Sequence, residues 1–418
     1  MDKFYINGGL KLDGEVEVYS AKNAVLALLA ASILTDEQVV IHNCPKIGDV
    51  FSMIKILQSL GCVVTWQGDS IIIDSSVADK HEIPQKYGQE IRSSIFMLGS
   101  ILARFKKAKA VFPGGCDIGL RPIDLHIKGL RELNVQVKEE GGDIFCDGQN
   151  ARGKKIHLDF PSVGATENIM LASVLIKGKT TICNTAKEPE IVCLQDMLNK
   201  MGAKVSGAGS DTIEIEGVKK LHGAEVYPIS DRIVAGTYII ACAMTKGRVC
   251  LKNCRPNDLY ALTSKLNGFA CDILSTGDAI LVKGYDRPQS ILTIETAPYP
   301  GFPTDLQAQI LALQTISQGT SVVVENIFET RFKHVGELIK MGAQIVVKDR
   351  YAIVRGVTKL FGNQVFAHDL RGGASLVLAG LVAHGTTVVN NVRHIDRGYF
   401  QLEEALASLG ADIKRISD

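Results

Sequence analysis

Lys340-Met341-Gly342-Ala343-Gln344-Ile345-Val346-Val347 joins an amphipathic run to a β-rich run through one glycine, and the chain writes this junction six times. The other copies are SLGCVVTW at 59–66, ELNVQVKE at 132–139, KMGAKVSG at 200–207, LNGFACDI at 266–273 and SLGADIKR at 408–415. Their marker positions are Gly61, Asn134, Gly202, Gly268, Gly342 and Gly410. They fall roughly 70 residues apart, the self-similarity of a chain built from repeated supersecondary units. Glycine stops a helix in the left-handed conformation without steric penalty, and asparagine, as at Asn134, is the usual second choice.

Upstream of each junction the pattern also recurs. A first, almost wholly apolar helix is predicted in NAVLALLAASIL (23–34), SIFMLGSILARF (94–105), ATENIMLASVLI (165–176), RIVAGTYIIACAM (232–244), LQAQILALQTIS (306–317) and GASLVLAGLVAH (373–384). A helix apolar on every side belongs in a core. Strands such as VVIHNC (39–44), TTICNT (180–185), RVCLKN (248–253), SVVVEN (321–326) and TTVVNN (386–391) follow. A second helix, polar on one face, then runs into the marker, and two strands close the unit. Strands alternating with helices imply a layered α/β architecture. Grouped by threes, the units make two domains of ordinary size: 21–229, and 1–20 plus 230–418. The break is expected near Tyr227-Pro228-Ile229-Ser230, and the helix-free first 20 residues are expected to pair with the C-terminal half.

Composition narrows the function. The 418 residues carry 46 Lys+Arg against 45 Asp+Glu, a net charge of +1, which disfavours a nucleic-acid binder working through bulk electrostatics. Aromatics at 6%, with one Trp, are thin for a base-stacking surface. The N-terminus has no signal-peptide pattern and the longest apolar runs are too short to cross a bilayer, so a cytoplasmic protein without a membrane partner is expected. Ten cysteines without framework spacing fit reduced thiols. No Walker A sequence, dinucleotide fingerprint, nucleophile elbow or His-rich metal motif occurs.

Polar residues gather at the helix starts. The first helices are preceded by Ser20-Ala21-Lys22-Asn23, Arg92-Ser93-Ser94, Ser162-Val163-Gly164-Ala165-Thr166, Ser230-Asp231-Arg232, Pro303-Thr304-Asp305 and Arg371-Gly372-Gly373. The second helices begin near Arg121-Pro122-Ile123-Asp124, Glu188-Pro189-Glu190, Arg255-Pro256-Asn257, Glu329-Thr330-Arg331 and Asp396-Arg397. Serine, threonine and aspartate are ordinary helix caps. Lysine or arginine there opposes the helix dipole, so its recurrence points instead to anion binding. One loop breaks the repeat: Phe112-Pro113-Gly114-Gly115-Cys116-Asp117-Ile118-Gly119-Leu120-Arg121-Pro122 surrounds a thiol with glycines. Its neighbours do not pack Cys116 into a helix or strand, and nearby cations would lower its pKa below the free value of roughly 8.5. The other nine cysteines read as small buried hydrophobes. His126 and His394 read as structural or orienting groups.

These motifs carry a resemblance. KNA at 22–24, PGGCDIGLRPIDLH at 113–126, PSVGATENIM at 161–170, EPEI at 188–191, FPTDLQAQ at 302–309, ETRFKH at 329–334, DLRGGASLV at 369–377 and HIDRGY at 394–399 resemble the UDP-N-acetylglucosamine 1-carboxyvinyltransferase family over essentially the whole chain. The resemblance implies two inside-out α/β barrel domains, each of three repeated βαβαββ units. It implies transfer of the enolpyruvyl group of phosphoenolpyruvate to the 3-hydroxyl of UDP-N-acetylglucosamine, with release of phosphate and no metal or other cofactor. That reaction is the first committed step of peptidoglycan synthesis.

Carried over by motif, Cys116 matches the general acid that protonates the methylene carbon and can form a covalent adduct. Asp305 matches the residue that binds the sugar hydroxyl and takes its proton. Lys22, Arg121 and Arg397 match the cations around phosphoenolpyruvate, with Arg92, Arg331 and Arg371 as second candidates. Asn23 and Ile327 are expected at the sugar. Arg121, Pro122, Ile123, Asp124 and Leu125 are expected at the uridine and diphosphate, and Ser162, Val163 and Gly164 at the diphosphate. Phe160 departs from a basic residue found there in some members. The alternatives are 5-enolpyruvylshikimate-3-phosphate synthase, which shares fold and donor, and a silent UDP-sugar-binding paralogue.

Overall fold

A computed structural model describes residues 2–114 and 123–417; Cys116, Arg121 and Pro122 lie outside the described residues. Contacts divide the described chain into two units, residues 20–114 with 123–229, and residues 2–19 with 230–417.

The repeat around Gly342 shows how each sheet is made. Thr293–Glu295 pairs in parallel with Thr320–Val324, and the helix Gln307–Gln314 lies in the crossover between them. Parallel neighbours need such a crossover, and a helix supplies it. The helix Val335–Lys340 follows, then the hairpin of Gln344–Lys348 and Tyr351–Arg355, whose second strand runs antiparallel to Thr320–Val324. Between helix and hairpin the chain reverses at Gly342, with φ 96°. The other markers behave alike: Gly61, Asn134, Gly202, Gly268 and Gly410 have φ of 99°, 66°, 92°, 81° and 95°. The helix-stop reading of all six is met.

Strands borrowed from distant sequence complete the sheets. In the first unit Gln38–Ile41 takes Ala224–Val226 as its parallel neighbour. In the second, Asp13–Glu17 lies parallel to Arg248–Lys252. Lys3–Asn7 lies antiparallel between Thr386–Asn390 and Asp412–Ile416. The sheet of Lys107–Val111, Asp143–Asp147 and Gln136–Glu140 has three strands, its parallel neighbour reduced to the single bridge of Glu82 to Lys109.

The first helices form the cores. In the first unit Lys22–Ser32, Phe96–Phe105 and Val163–Ser173 touch one another, and in the second Arg232–Met244, Gln307–Gln314 and Leu370–Val382 do so. Every residue of Ala165–Ser173, Ile233–Met244 and Gln307–Gln314 is buried. Each fully buried Leu or Ile contributes roughly 1.5–3 kcal/mol. Glycine sets the closest approach: a Cβ at Gly99 would lie 2.3 Å from the carbonyl oxygen of Asn168 on the neighbouring helix. A Cβ at Gly356, just after a hairpin, would lie 1.6 Å from the carbonyl oxygen of Ser317 at the end of a buried helical run. Among the described residues no helix is long and apolar enough to cross a membrane.

One core side chain is anomalous. Glu167 is 1% exposed, and neither carboxyl oxygen has a hydrogen-bond partner. Burial, reinforced by Glu190 and Glu188, holds its carboxyl well above the ordinary 4.5, so it sits in the helix as a neutral acid.

Gly356→Ala should destabilise by about 1–3 kcal/mol, because backbone rather than a flexible side chain must yield. Gly336→Ala, in the helix Val335–Lys340 with nothing within 4 Å of its Cβ position, should stabilise by about 0.4–1 kcal/mol. Urea midpoints that fail to move in opposite directions would contradict the packing. For Glu167, the unfolded chain releases a proton above its ordinary value while the folded chain keeps it, so stability falls as pH rises. Glu167→Gln should therefore melt higher than the native chain at pH about 8, with the gain vanishing below pH about 4.5. Equal melting offsets at both extremes would reject the neutral-acid assignment.

Candidate active site

In the second unit a carboxylate lies between two arginines. Asp305 is in the single 3₁₀ turn Thr304–Leu306 that leads into Gln307–Gln314. Its Oδ1 accepts from Arg331 Nη2 at 2.7 Å, and its Oδ2 accepts from Arg371 Nη2 at 2.9 Å and Nε at 3.3 Å. The arginine side chains are 4% and 3% exposed, whereas Asp305 is 26% exposed. The carboxylate, not its partners, meets solvent. Burial works against the charge on Arg371, but Asp305, Tyr399 and Asp231 outweigh it and hold the guanidinium above its ordinary range.

Each arginine is fixed from behind. Asp369 caps Leu370–Val382, its Oδ1 accepting from the backbone N–H groups of Arg371 and Gly372 at 3.0 and 2.9 Å. The Arg371 guanidinium lies 5.4 Å over the buried Tyr399 ring. Tyr399 Oη is in turn 2.9 Å from Thr237 Oγ1 and accepts from Gln309 Nε2 at 3.0 Å. Arg331 Nη1 donates to Thr304 Oγ1 at 2.7 Å. The Thr304 hydroxyl donates to Glu325 Oε2 at 2.8 Å, while Glu325 Oε1 accepts from the backbone N–H groups of Ile327 and Phe328 at 2.9 and 3.1 Å. His334 is buried here with both ring nitrogens unpartnered. Burial lowers it to about 4, with Arg331 adding to the effect and Asp369 opposing it, so the imidazole is neutral. Arg397 is half-buried after the turn Val392–His394. His394 is held below its ordinary value by burial and by Arg393 and Arg397.

In the first unit, Lys22 opens Lys22–Ser32 and donates from Nζ to Asp49 Oδ2 at 3.1 Å. Asp49, in the first turn of Gly48–Ser59, is buried, and the cap residue Ala21 makes no side-chain hydrogen bond. Asn23 is half-buried beside Lys22, and Arg92 is half-buried at the start of the turn Arg92–Ile95. Ser162 is a conventional cap, its Oγ accepting from Ala165 N at 3.3 Å. Val163 and Gly164 are half-buried, and a Cβ at Gly164 would meet the His126 and Phe96 rings at 3.2 Å. That glycine therefore makes room for two rings. His126 Nδ1 is 3.2 Å from Asn168 Nδ2, a structural contact. Ile123 is buried, Leu125 half-buried and Asp124 exposed at the start of Asp124–Glu132.

The structure thus brings together Asp305, Arg331 and Arg371, and places Ile327 on the same network through Glu325. Asp396 does not join them; it pairs with Arg415 at 2.6 Å. Ser162, Asp231 and Asp369 are caps, whereas Ala21, Ile91 and Pro303 at the other starts make no side-chain cap. Sequence reading missed Asp49, Asp369 and Glu325. Asp369 carried a usable signal, an aspartate two residues before Arg371 at a helix start. Asp49 and Glu325 carried none, since their partners are distant or lie beyond a strand end. The nine described cysteines are free thiols. Burial raises Cys44, Cys146, Cys254 and Cys271 to about 12 and Cys242 to about 11. Among the described residues no cluster of three His, Cys, Asp or Glu could hold a metal ion.

A partly exposed carboxylate held between buried guanidiniums can orient a hydroxyl and accept its proton. Known proteins resemble this chain along its length. The EPSP synthase (3-phosphoshikimate 1-carboxyvinyltransferase) family model matches residues 6–406. UDP-N-acetylglucosamine 1-carboxyvinyltransferase 2 of Caldanaerobacter subterraneus subsp. tengcongensis is 55% identical over 416 residues, covering 100% of both chains. UDP-N-acetylglucosamine 1-carboxyvinyltransferase 1 of Carboxydothermus hydrogenoformans is 46% identical, covering 100% of this chain and 99% of its own. Among solved structures, the enolpyruvyl transferase NikO from Streptomyces tendae superposes with a TM-score of 0.89 at 24% identity, covering 100% of this chain and 99% of its own. EPSP synthase from Acinetobacter baumannii gives 0.75 at 18% over 100% of both chains. Those two likenesses establish the α/β fold of the enolpyruvyl transferases. With identities of 45–55% along the full length of its relatives, the chain belongs to the UDP-N-acetylglucosamine 1-carboxyvinyltransferase family, within the broader EPSP synthase (3-phosphoshikimate 1-carboxyvinyltransferase) family.

Proposed function

We propose that this chain is an enolpyruvyl transferase that joins phosphoenolpyruvate to the 3-hydroxyl of UDP-N-acetylglucosamine and releases phosphate. The observation that carries the reading is the partly exposed Asp305 carboxylate held by Arg331 and Arg371, in a chain 55% identical to a named carboxyvinyltransferase. In this reading Asp305 takes the hydroxyl proton as the sugar oxygen bonds to C2 of phosphoenolpyruvate. Cys116 delivers a proton to the methylene carbon. The adduct then returns a methyl proton to the Cys116 thiolate as its C–O bond to phosphate breaks, which restores the double bond, and the departing phosphate takes the proton held by Asp305.

Lys22, Arg121 and Arg397 neutralise carboxylate and phosphate charge, with Arg92 as a second candidate. Asn23 and Ile327 hold the sugar, Ile123, Asp124 and Leu125 the uridine side, and Ser162, Val163 and Gly164 the diphosphate. In this reading the chain forms two inside-out α/β barrels, 21–229 carrying Cys116 and 1–20 plus 230–418 carrying Asp305 and Arg397. The role is in peptidoglycan synthesis, and so in cell shape and division, within the cytoplasm.

Phosphate release from phosphoenolpyruvate should depend on UDP-N-acetylglucosamine as acceptor. The family model is described by 3-phosphoshikimate, so shikimate 3-phosphate is the control; turnover with it alone would reassign the acceptor, and silence with both would revive a non-catalytic role. Fosfomycin should alkylate Cys116, the sulfur bonding to an epoxide carbon as its C–O bond opens. Cys116→Asp should retain an acid and turnover while losing that adduct. Intact-mass spectra with no adduct, or with one on another cysteine, would remove Cys116 from its assigned role.

A further inference from the structure

We propose that Glu325 is a positioning residue that sets both the Asp305 base and the Ile327 turn, a role that rests on reading Asp305 as the acceptor-side base. Glu325 is fully buried at the end of Thr320–Val324, and four donors converge on its two oxygens. That donor set suits a carboxylate, which only accepts. One oxygen serves each arm. Oε1 takes the Ile327 and Phe328 N–H groups and the Thr296 hydroxyl at 2.9 Å. Thr296 Oγ1 also accepts from Asn326 N at 2.9 Å, which closes the turn on itself. Arg350 Nη1 holds the same turn from outside through the Asn326 carbonyl at 2.8 Å.

Oε2 governs the other arm. It takes the Thr304 proton, which leaves the Thr304 oxygen lone pairs facing Arg331 Nη1. Arg331 thereby presents Nη2 to Asp305 Oδ1. The direction of every bond in this chain follows from one acceptor. An amide in place of the carboxylate keeps the shape and can still cap the Ile327 turn with its oxygen. Its NH2 group, however, meets the Thr304 hydroxyl as a donor. Thr304 would then accept from both sides, Arg331 would compete with the amide, and the Arg331–Asp305 contact would loosen.

Glu325→Gln and Thr304→Val both break this arm, so each should lower kcat by about a hundredfold, the scale of a displacement near 1 Å at a reacting group. The KM for phosphoenolpyruvate should stay within about threefold, since in this reading Lys22, Arg121 and Arg397 hold the donor while Arg331 is engaged with Thr304 and Asp305. A purely structural role would shift unfolding midpoints without that split. Either variant, folded by circular dichroism yet within about threefold of native kcat, would overturn the proposal. Should Glu325→Gln fail to fold, Thr304→Val decides. Inactivity of the native chain would fault the reaction assigned to it; the crystal structure of Glu325→Gln then decides the positioning, and an Arg331–Asp305 contact kept at 2.7 Å would reject it.

Discussion

A helix with no polar face has only one stable place, surrounded on all sides, and this chain makes six such helices. Each unit meets that demand by setting three of them against one another and covering them with sheets. The constraint decides where chemistry can be. Along the helices nearly every position is committed to packing, to the point that glycines at 99 and 236 are needed for neighbouring atoms to fit. The helix ends, with their unsatisfied N–H groups, are where polar side chains can meet solvent, whereas Glu167, Thr237 and Gln309 within the helices are buried.

Placing cations at those ends sets a second problem. Lys22 and Arg371 oppose the dipoles of the helices they open. Both are matched by carboxylates from remote sequence, Asp49 and Asp305, 27 and 66 residues away. Removing one member of a buried pair typically costs 3–5 kcal/mol, about as much as a large core truncation, so pairing and packing are comparable constraints here. Asp305 differs from Asp49 in being partly exposed, and that difference singles it out as a group able to act on a ligand.

Other buried polar groups avoid charge altogether. Glu167 and His334 are buried without hydrogen-bond partners, and burial keeps both neutral by moving their pKa values in opposite directions. Glu325 takes the other course. Four donors accompany it into the core, and through Thr304 and Arg331 it reaches Asp305.

By itself the sequence determined the local events. The six stops appear as Gly61, Asn134, Gly202, Gly268, Gly342 and Gly410 because only a residue tolerant of positive φ fits there. The buried helices appear because their apolar residues leave no polar face. The motifs around Lys22, Asp305, Arg331 and Arg371 marked the positions where charge sits at helix starts. Tertiary structure decided the pairings: that Lys22 meets Asp49, that Asp305 takes two arginines, and that Glu325 takes Thr304. It also separated Ser162, Asp231 and Asp369, which cap, from starts that do not. Local pattern reports the conformation a residue adopts within a turn or two of itself. A hydrogen bond between residues 20 or more apart exists only once strands and helices have been brought together, so its partners leave no periodic trace.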